Sequence, residues 1–532
     1  MKTTLLPCYI AIIICYVLFS SCASKQIKLE KKQARAYKKD LNKIDYHAPF
    51  FNHVIQVNRR GHPINPFTKD FFADRGFIFK KVSYVRNNDV YKLAHLGRIT
   101  GAIKAKYQLN EAANKDTVKL MLYAHGGLAS KKGSRAEAYM KYRKVLETDP
   151  SVFPIFINWS SGLFSSYLQY ATVVQNGYYA KPTLLRAFNF PLNLSLDLAN
   201  AVIYFPRLLR KNLFSKSEAF WANNSIKNAN SILADSNANC CRTRKCCIHT
   251  CTKDTVFYKS IRRFNEAYNF FGSFISIPLG SAVATLGKPA WQNMSRRTKV
   301  MFRNSEQFSY DALKPLIRQD TATMKGKKAI AMTLEEYKNV DHSGPTALLV
   351  ESIIELAKKY PNRVFQISLY GHSMGSMVMN ELLKHYGDKL PANIYVDKIV
   401  YMAAACKISD WEVSVEHFLK HNKQTDFFNI TLHPKREKQE KMGIPVLNWL
   451  VPPGSLLEWV DKLYEDPHSF TDRTLGCYDN FVMSYSIIEN SLRSRIHLKT
   501  FPYAETKHKD KHIPIRHGEV DDYSFWMPHY LY

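Results

Sequence analysis

Residues 367–383 read ISLYGHSMGSMVMNELL, and the fold turns on what Ser373 is doing there. An apolar, β-prone run ends at Tyr370, and helical periodicity takes over from Met374. Gly371, Ser373 and Gly375 form the pattern G-x-S-x-G at this junction. A serine so placed turns sharply off a strand end with strained dihedrals. The glycines two residues to either side let neighbouring chain approach without a Cβ clash. The helix that follows aims its first amides at any anion formed beside the serine. The alternative is an ordinary serine in a glycine-flanked loop.

Working outward, short apolar runs bounded by turn residues recur: VKLMLYA ending at Ala124, PIFINW at 154–159, RVFQISLY at 363–370, KIVYMAA at 398–404, FFNITLH at 427–433 and RIHLKTF at 495–501. Helical periodicity appears in PTALLVESIIELAKKY at 345–360 and MGSMVMNELLKHY at 374–386. Strands alternating with helices predict an α/β fold with a mostly parallel sheet covered on both faces. Between the run at 154–159 and the helix at 345 lie about 185 residues, far more than an ordinary connection, so an inserted subdomain is expected. It carries two strongly apolar stretches, 182–210 and 270–287. The second has 18 residues without a charge but is broken by Pro278 and three glycines, which favours core helices or an apolar cap over a membrane span.

At this point a resemblance emerges. The region from about 83 to 532, without the insertion, resembles the α/β-hydrolase superfamily of esterases and lipases, in which Gly-His-Ser-Met-Gly is a frequent form of the nucleophile motif. The stretch LYAHGGLASKKGS at 122–134 is similar to the HGG segment that supplies one oxyanion-hole amide in lipases. By that resemblance the hole combines the amide of Met374 with that of Gly127 or Leu128. Ser373 is then the nucleophile of a triad that runs serine, acid, histidine along the chain. For the acid, TLHPKRE keeps the superfamily spacing, with Pro434 in place of a glycine and Glu437 in place of an aspartate. Asp410, after the preceding strand, is the competing acid, and a solvated surface role for Glu437 beside Lys435 and Arg436 stays open. For the base, His517 is followed by Gly518 and an aromatic pair a few residues on, whereas His508 and His512 lie in a lysine-rich run. His529 is the remaining option.

The implied domain layout is a signal peptide over 1–21, a basic tether and N-terminal region over 22–82, a first core part over 83–159, a mainly helical cap over 160–344, and a second core part over 345–532. The opening residues show one lysine, an apolar run from Leu5 to Phe19 and then small residues. Phe19-Ser20-Ser21-Cys22 resembles the lipobox of bacterial lipoproteins, with phenylalanine where leucine is commonest. Cys22 is then the lipidated residue of a membrane-anchored protein exported to the bacterial cell envelope. Eight lysines and arginines against three acids between Lys25 and Asp45 suit either a solvated tether or an added hold on anionic headgroups.

The formal charge of +30 would raise nucleic acid as a partner in a cytosolic chain. The export signal, the spread of the charge and the lack of a nucleic-acid motif argue against it. Of ten cysteines, five crowd into NCCRTRKCCIHTC, namely Cys240, Cys241, Cys246, Cys247 and Cys251. In an exported chain disulfides are the first expectation, zinc with His249 the second, and the odd thiol could pair with Cys406 or Cys477. The function expected is hydrolysis of carboxylic esters, lipids or other acyl esters, with no cofactor or metal. An acyltransferase on the same triad and a non-catalytic envelope lipoprotein are the alternatives.

Overall fold

The computed structural model describes residues 49–58, 95–109, 117–127, 131–172, 174–175, 178–179, 193–197, 199–201, 284–302, 344–440, 454–465, 467, 469–485, 487–501, 514–522, 525–526 and 531. Seven strands form one sheet: β1 (Val54–Val57), β2 (Val118–Ala124), β3 (Phe153–Trp159), β6 (Phe365–His372), β7 (Ile394–Met402), β8 (Asp426–Thr431) and β9 (Ile496–Thr500). Two-residue strands β4 (Val174–Gln175) and β5 (Tyr178–Tyr179) make a separate antiparallel pair. The sheet order is β1-β3-β2-β6-β7-β8-β9, and every neighbouring pair is parallel.

Parallel strands need crossover connections, and those crossovers cover both faces with other elements. Residues alternate between the faces accordingly. Ile55, Leu122, Ile157, Leu369, Tyr401 and Phe427 join one apolar cluster. Their neighbours Val54, Tyr123, Phe156, Tyr370, Val400 and Phe428 join the other. The first cluster includes residues of helix α1 (Gly97–Lys106), of α4 (Pro345–Lys359) and of α5 (Gly375–Tyr386). The second includes Ala138 and Val145 of α2 (Lys131–Thr148), with Val520, Phe525 and Trp526 from beyond the last strand. Trp526 stacks on Tyr123 at 5.2 Å between ring centroids and is 1% exposed, which ties residues past 500 to the centre of the sheet.

The sequence runs anticipate six of the seven strands, with β7 beginning four residues before the run at 398. The seventh, β1, falls in the stretch expected to be tether and N-terminal region. Its four residues, VIQV, are all buried at the sheet edge beside β3, and a run so short carries little pattern. Of the expected insertion, the described parts are helical apart from the β4–β5 pair and connecting turns: α3 (Leu163–Thr172), residues 193–197 and 199–201, and a helix over 284–300. Asn293 on that last helix donates to the Ser166 carbonyl at 2.9 Å, and Arg297 donates to that of Ser160 at 2.6 Å. Cys22 and the cluster Cys240 to Cys251 lie outside the described residues. Cys406 and Cys477 are both free and buried. Burial pushes the Cys406 thiol up to about 12, which keeps it from acting as a thiolate. Among the described residues no helix is long and apolar enough to cross a membrane.

The tightest helix-to-sheet approach in this region is at the start of α5. A Cβ on Gly375 would stand 2.0 Å from the Ala124 carbonyl oxygen, and one on Gly371 would stand 2.7 Å from the Ser376 amide nitrogen. Backbone cannot yield here without parting β2 from α5. Gly375→Ala is therefore expected to lower the unfolding free energy by at least about 2 kcal/mol, read as a shift of the urea midpoint at unchanged slope.

Candidate active site

Two adjacent strands at the middle of the sheet lead in opposite directions. From β2 the chain passes to β3 on one side, and from β6 it passes to β7 on the other. At such a switch point the strand ends open a crevice where open α/β sheets place their ligands. Gly126 and Gly127 follow β2, and Ser373 follows β6, so both glycines and the serine stand at that crevice.

Ser373 has φ of +50°, in the left-handed region that a side chain rarely adopts. Four hydrogen bonds hold it there. Its amide donates to the Met402 carbonyl at 2.8 Å. Its carbonyl accepts from the amides of Ser376 and Ala405, at 3.1 and 3.0 Å, and from the Ser376 hydroxyl at 2.6 Å. Met374 caps α5, and the first amides of a helix have no intrahelical acceptor. A Cβ on Gly126 would meet the Ser373 Cβ at 3.0 Å, and one on Gly127 would meet the Met374 sulfur at 2.9 Å. The glycine pair thus lies directly against the serine and its successor. Leu128 lies outside the described residues.

The structure brings together three residues far apart in sequence. His517 Nε2 stands 3.2 Å from Ser373 Oγ, and His517 Nδ1 stands 3.6 Å from Glu437 Oε1. The second distance is that of an ion pair and exceeds a hydrogen bond; such contacts often tighten only with substrate in place. Ser373, His517 and Glu437 are 3%, 7% and 3% exposed. Glu437 is therefore not the solvated surface carboxylate that its basic neighbours suggest. It sits in a short helix, Pro434–Gln439, whose first residue is proline, and the His433 ring caps it by accepting from the Lys435 amide. Proline suits the first helical position, where no amide donor is needed. The Ser455 hydroxyl donates to Glu437 Oε1 and itself caps the next short helix, so the acid is held by an already fixed donor.

Asp410 is placed elsewhere. Its carboxylate accepts from Lys384 Nζ at 3.1 Å, and the charges acting on it are those of Lys384, Lys299, Lys407 and Glu381. His508, His512 and His529 lie outside the described residues. Burial disfavours a charged His517, but Glu437, Glu440 and Asp521 outweigh it and raise its pKa.

A second cluster lies under the histidine loop, and sequence reasoning missed it. Asp521 accepts from Lys141 Nζ at 2.8 Å and from the Tyr123 hydroxyl at 3.0 Å, and its Oδ2 is 3.2 Å from His372 Nδ1. Lys141 also pairs with Glu137 at 2.7 Å. Burial pushes the His372 pKa down to about 4, so the ring beside Asp521 is neutral near pH 7. Burial works against ionised Asp521, yet the Lys141 ammonium beside it holds its carboxyl well below the usual range. The only sequence clue was the buried side of α2, where Glu137 and Lys141 stand one turn apart. His125, first of the HGG segment, makes no contact with the serine. Its ring bonds to the Trp159 backbone, and burial lowers it to about 4.

Compared with protein-family models, curated proteins and solved structures, the chain matches none.

Removing Asp521 from this cluster leaves Lys141 buried with one partner fewer. Asp521→Asn is expected to cost on the order of 3 kcal/mol of stability in chemical denaturation, the usual scale for breaking a buried pair from one side.

Proposed function

We propose that this chain is a serine hydrolase with an α/β-hydrolase core, a helical cap and a Ser373–His517–Glu437 triad that cleaves carboxylic esters. The observation that carries the reading is the 3.2 Å contact between a left-handed serine at a strand-to-helix turn and an imidazole 144 residues away. An ordinary loop serine has no reason to hold strained dihedrals against a buried histidine whose other nitrogen faces a buried carboxylate.

In this reading His517 Nε2 takes the Ser373 proton as Oγ attacks the acyl carbonyl. Glu437 stabilises the imidazolium and fixes its tautomer. The amides of Met374 and Gly127 hold the oxyanion, and Leu128 remains the alternative second donor. His517 then returns the proton to the leaving alcohol, and water releases the acyl group by the same steps. The cap reading is supported by the helix over 284–300, whose buried Met294 reaches over the oxyanion loop. Its Cε is 3.1 Å from where a Gly127 Cβ would be. An apolar roof suits lipid or other acyl esters. An N-terminal lipid anchor on Cys22 and a place in a bacterial cell envelope belong to the same proposal, with the membrane as partner and no nucleic acid.

A fluorophosphonate probe is expected to label the wild type and not Ser373→Ala. With chromogenic esters of graded chain length, Ser373→Ala and His517→Ala are each expected to lose about 10⁴-fold or more in kcat, while Asp410→Asn stays near wild type. Folded protein that shows no Ser373-dependent labelling would leave a binding role. An added alcohol that outruns water in capturing the acyl group would make the enzyme a transferase.

A further inference from the structure

Glu440 lies one turn beyond Glu437, so the two carboxylates reach the same neighbour. Glu437 faces the imidazole of His517, and Glu440 Oε2 accepts from the main-chain N–H of His517 at 2.9 Å. The Glu440 backbone is itself fixed at both ends. Its amide donates to the Arg436 carbonyl and its carbonyl accepts from the Gly454 amide, each at 2.9 Å. The histidine loop is thus tied by its main chain to the segment that carries the acid. Ring and backbone of one residue are located from a single short stretch.

We infer that Glu440 is a positioning residue for the general base, its carboxylate anchoring the His517 main chain and placing a second negative charge beside the imidazole. This rests on the hydrolase reading. Main-chain anchoring matters because Ser373 and His517 sit on unconnected elements, and a displacement of about 1 Å between reacting groups can cost 10²-fold. Among the described residues, Glu437, His517 and Arg516 act on Glu440, and Glu437, Asp521 and neutral His372 stand around His517. Burial and then Glu437 push Glu440 up to about 7, against the pull of His517 and Arg516. Glu440 therefore changes charge near neutrality, next to the imidazole.

The sign follows from charge. Taking a negative charge away from an imidazolium destabilises the protonated form, so the His517 pKa falls and the free base persists to lower pH. Glu440→Gln keeps an oxygen acceptor for the main-chain N–H and removes the charge. Glu440→Ala removes both. NMR titration of isotope-labelled histidine should show the His517 midpoint moved to lower pH in Glu440→Gln, and the acid limb of the kcat/KM profile for a chromogenic ester should move with it. Glu440→Ala should lose about tenfold or more in kcat and expose the His517 amide to faster hydrogen exchange, with Glu440→Gln restoring protection. An unchanged His517 midpoint in Glu440→Gln, or unchanged amide protection in Glu440→Ala, overturns the inference. Wild-type protein without esterase turnover or probe labelling would instead overturn the hydrolase reading, and the titration and exchange would still decide the role of Glu440.

Discussion

The backbone of Ser373 is the constraint on which the site depends. A left-handed serine costs on the order of 1 kcal/mol or more, and it survives only where its surroundings over-determine it. Here the surroundings are the ends of β6 and β7, which supply Met402 and Ala405 as partners, and the first turn of α5, which supplies Ser376. The neighbouring strand shows the same device on a smaller scale. Ala403 also has positive φ, at +46°, directly after β7, and its amide donates to the Ile430 carbonyl of β8 at 2.7 Å. Successive strand ends are thereby locked to one another across the crevice. The glycines at 371 and 375 leave room for that lock to close.

Around this rigid centre the electrostatics are organised on the histidine. The chain is strongly basic, yet the groups packed near His517 are acidic: Glu437 at the ring, Glu440 at the main chain and Asp521 beneath. Each carboxylate has its own donor, respectively the Ser455 hydroxyl, the His517 amide and Lys141 with Tyr123. A buried carboxylate without such partners would take up a proton and contribute no field.

Much of the sheet was legible because parallel strands buried on both faces read as continuous apolar runs. VKLMLYA coincides with β2, and the helix read from 345 coincides with α4 within a residue. The edge strand VIQV was not legible, since four residues with one glutamine offer too little periodicity. The serine and the glycine pair were legible because strained turns demand particular residue types. Glu437 was harder: flanked by Lys435 and Arg436, it looks solvated, and only its spacing from β8 marked it. Asp521, His372 and Glu440 were invisible as a set. Their association depends on which loops meet above β2 and β6, and no local pattern encodes contacts across 380 or more residues such as Lys141 with Asp521.

The sheet ends at Thr500, whereas the imidazole and the aspartate beneath it come afterwards. The backbone hydrogen bonds of the seven strands and of the bent serine are made by residues before 501, whereas the segment bearing 517 and 521 adds contacts across as many as 398 residues. Long-range closures of this kind are late events in folding, because their loop entropy is lost before their contacts reward it. A molecule in which that segment has not docked lacks the imidazole that stands 3.2 Å from the Ser373 hydroxyl.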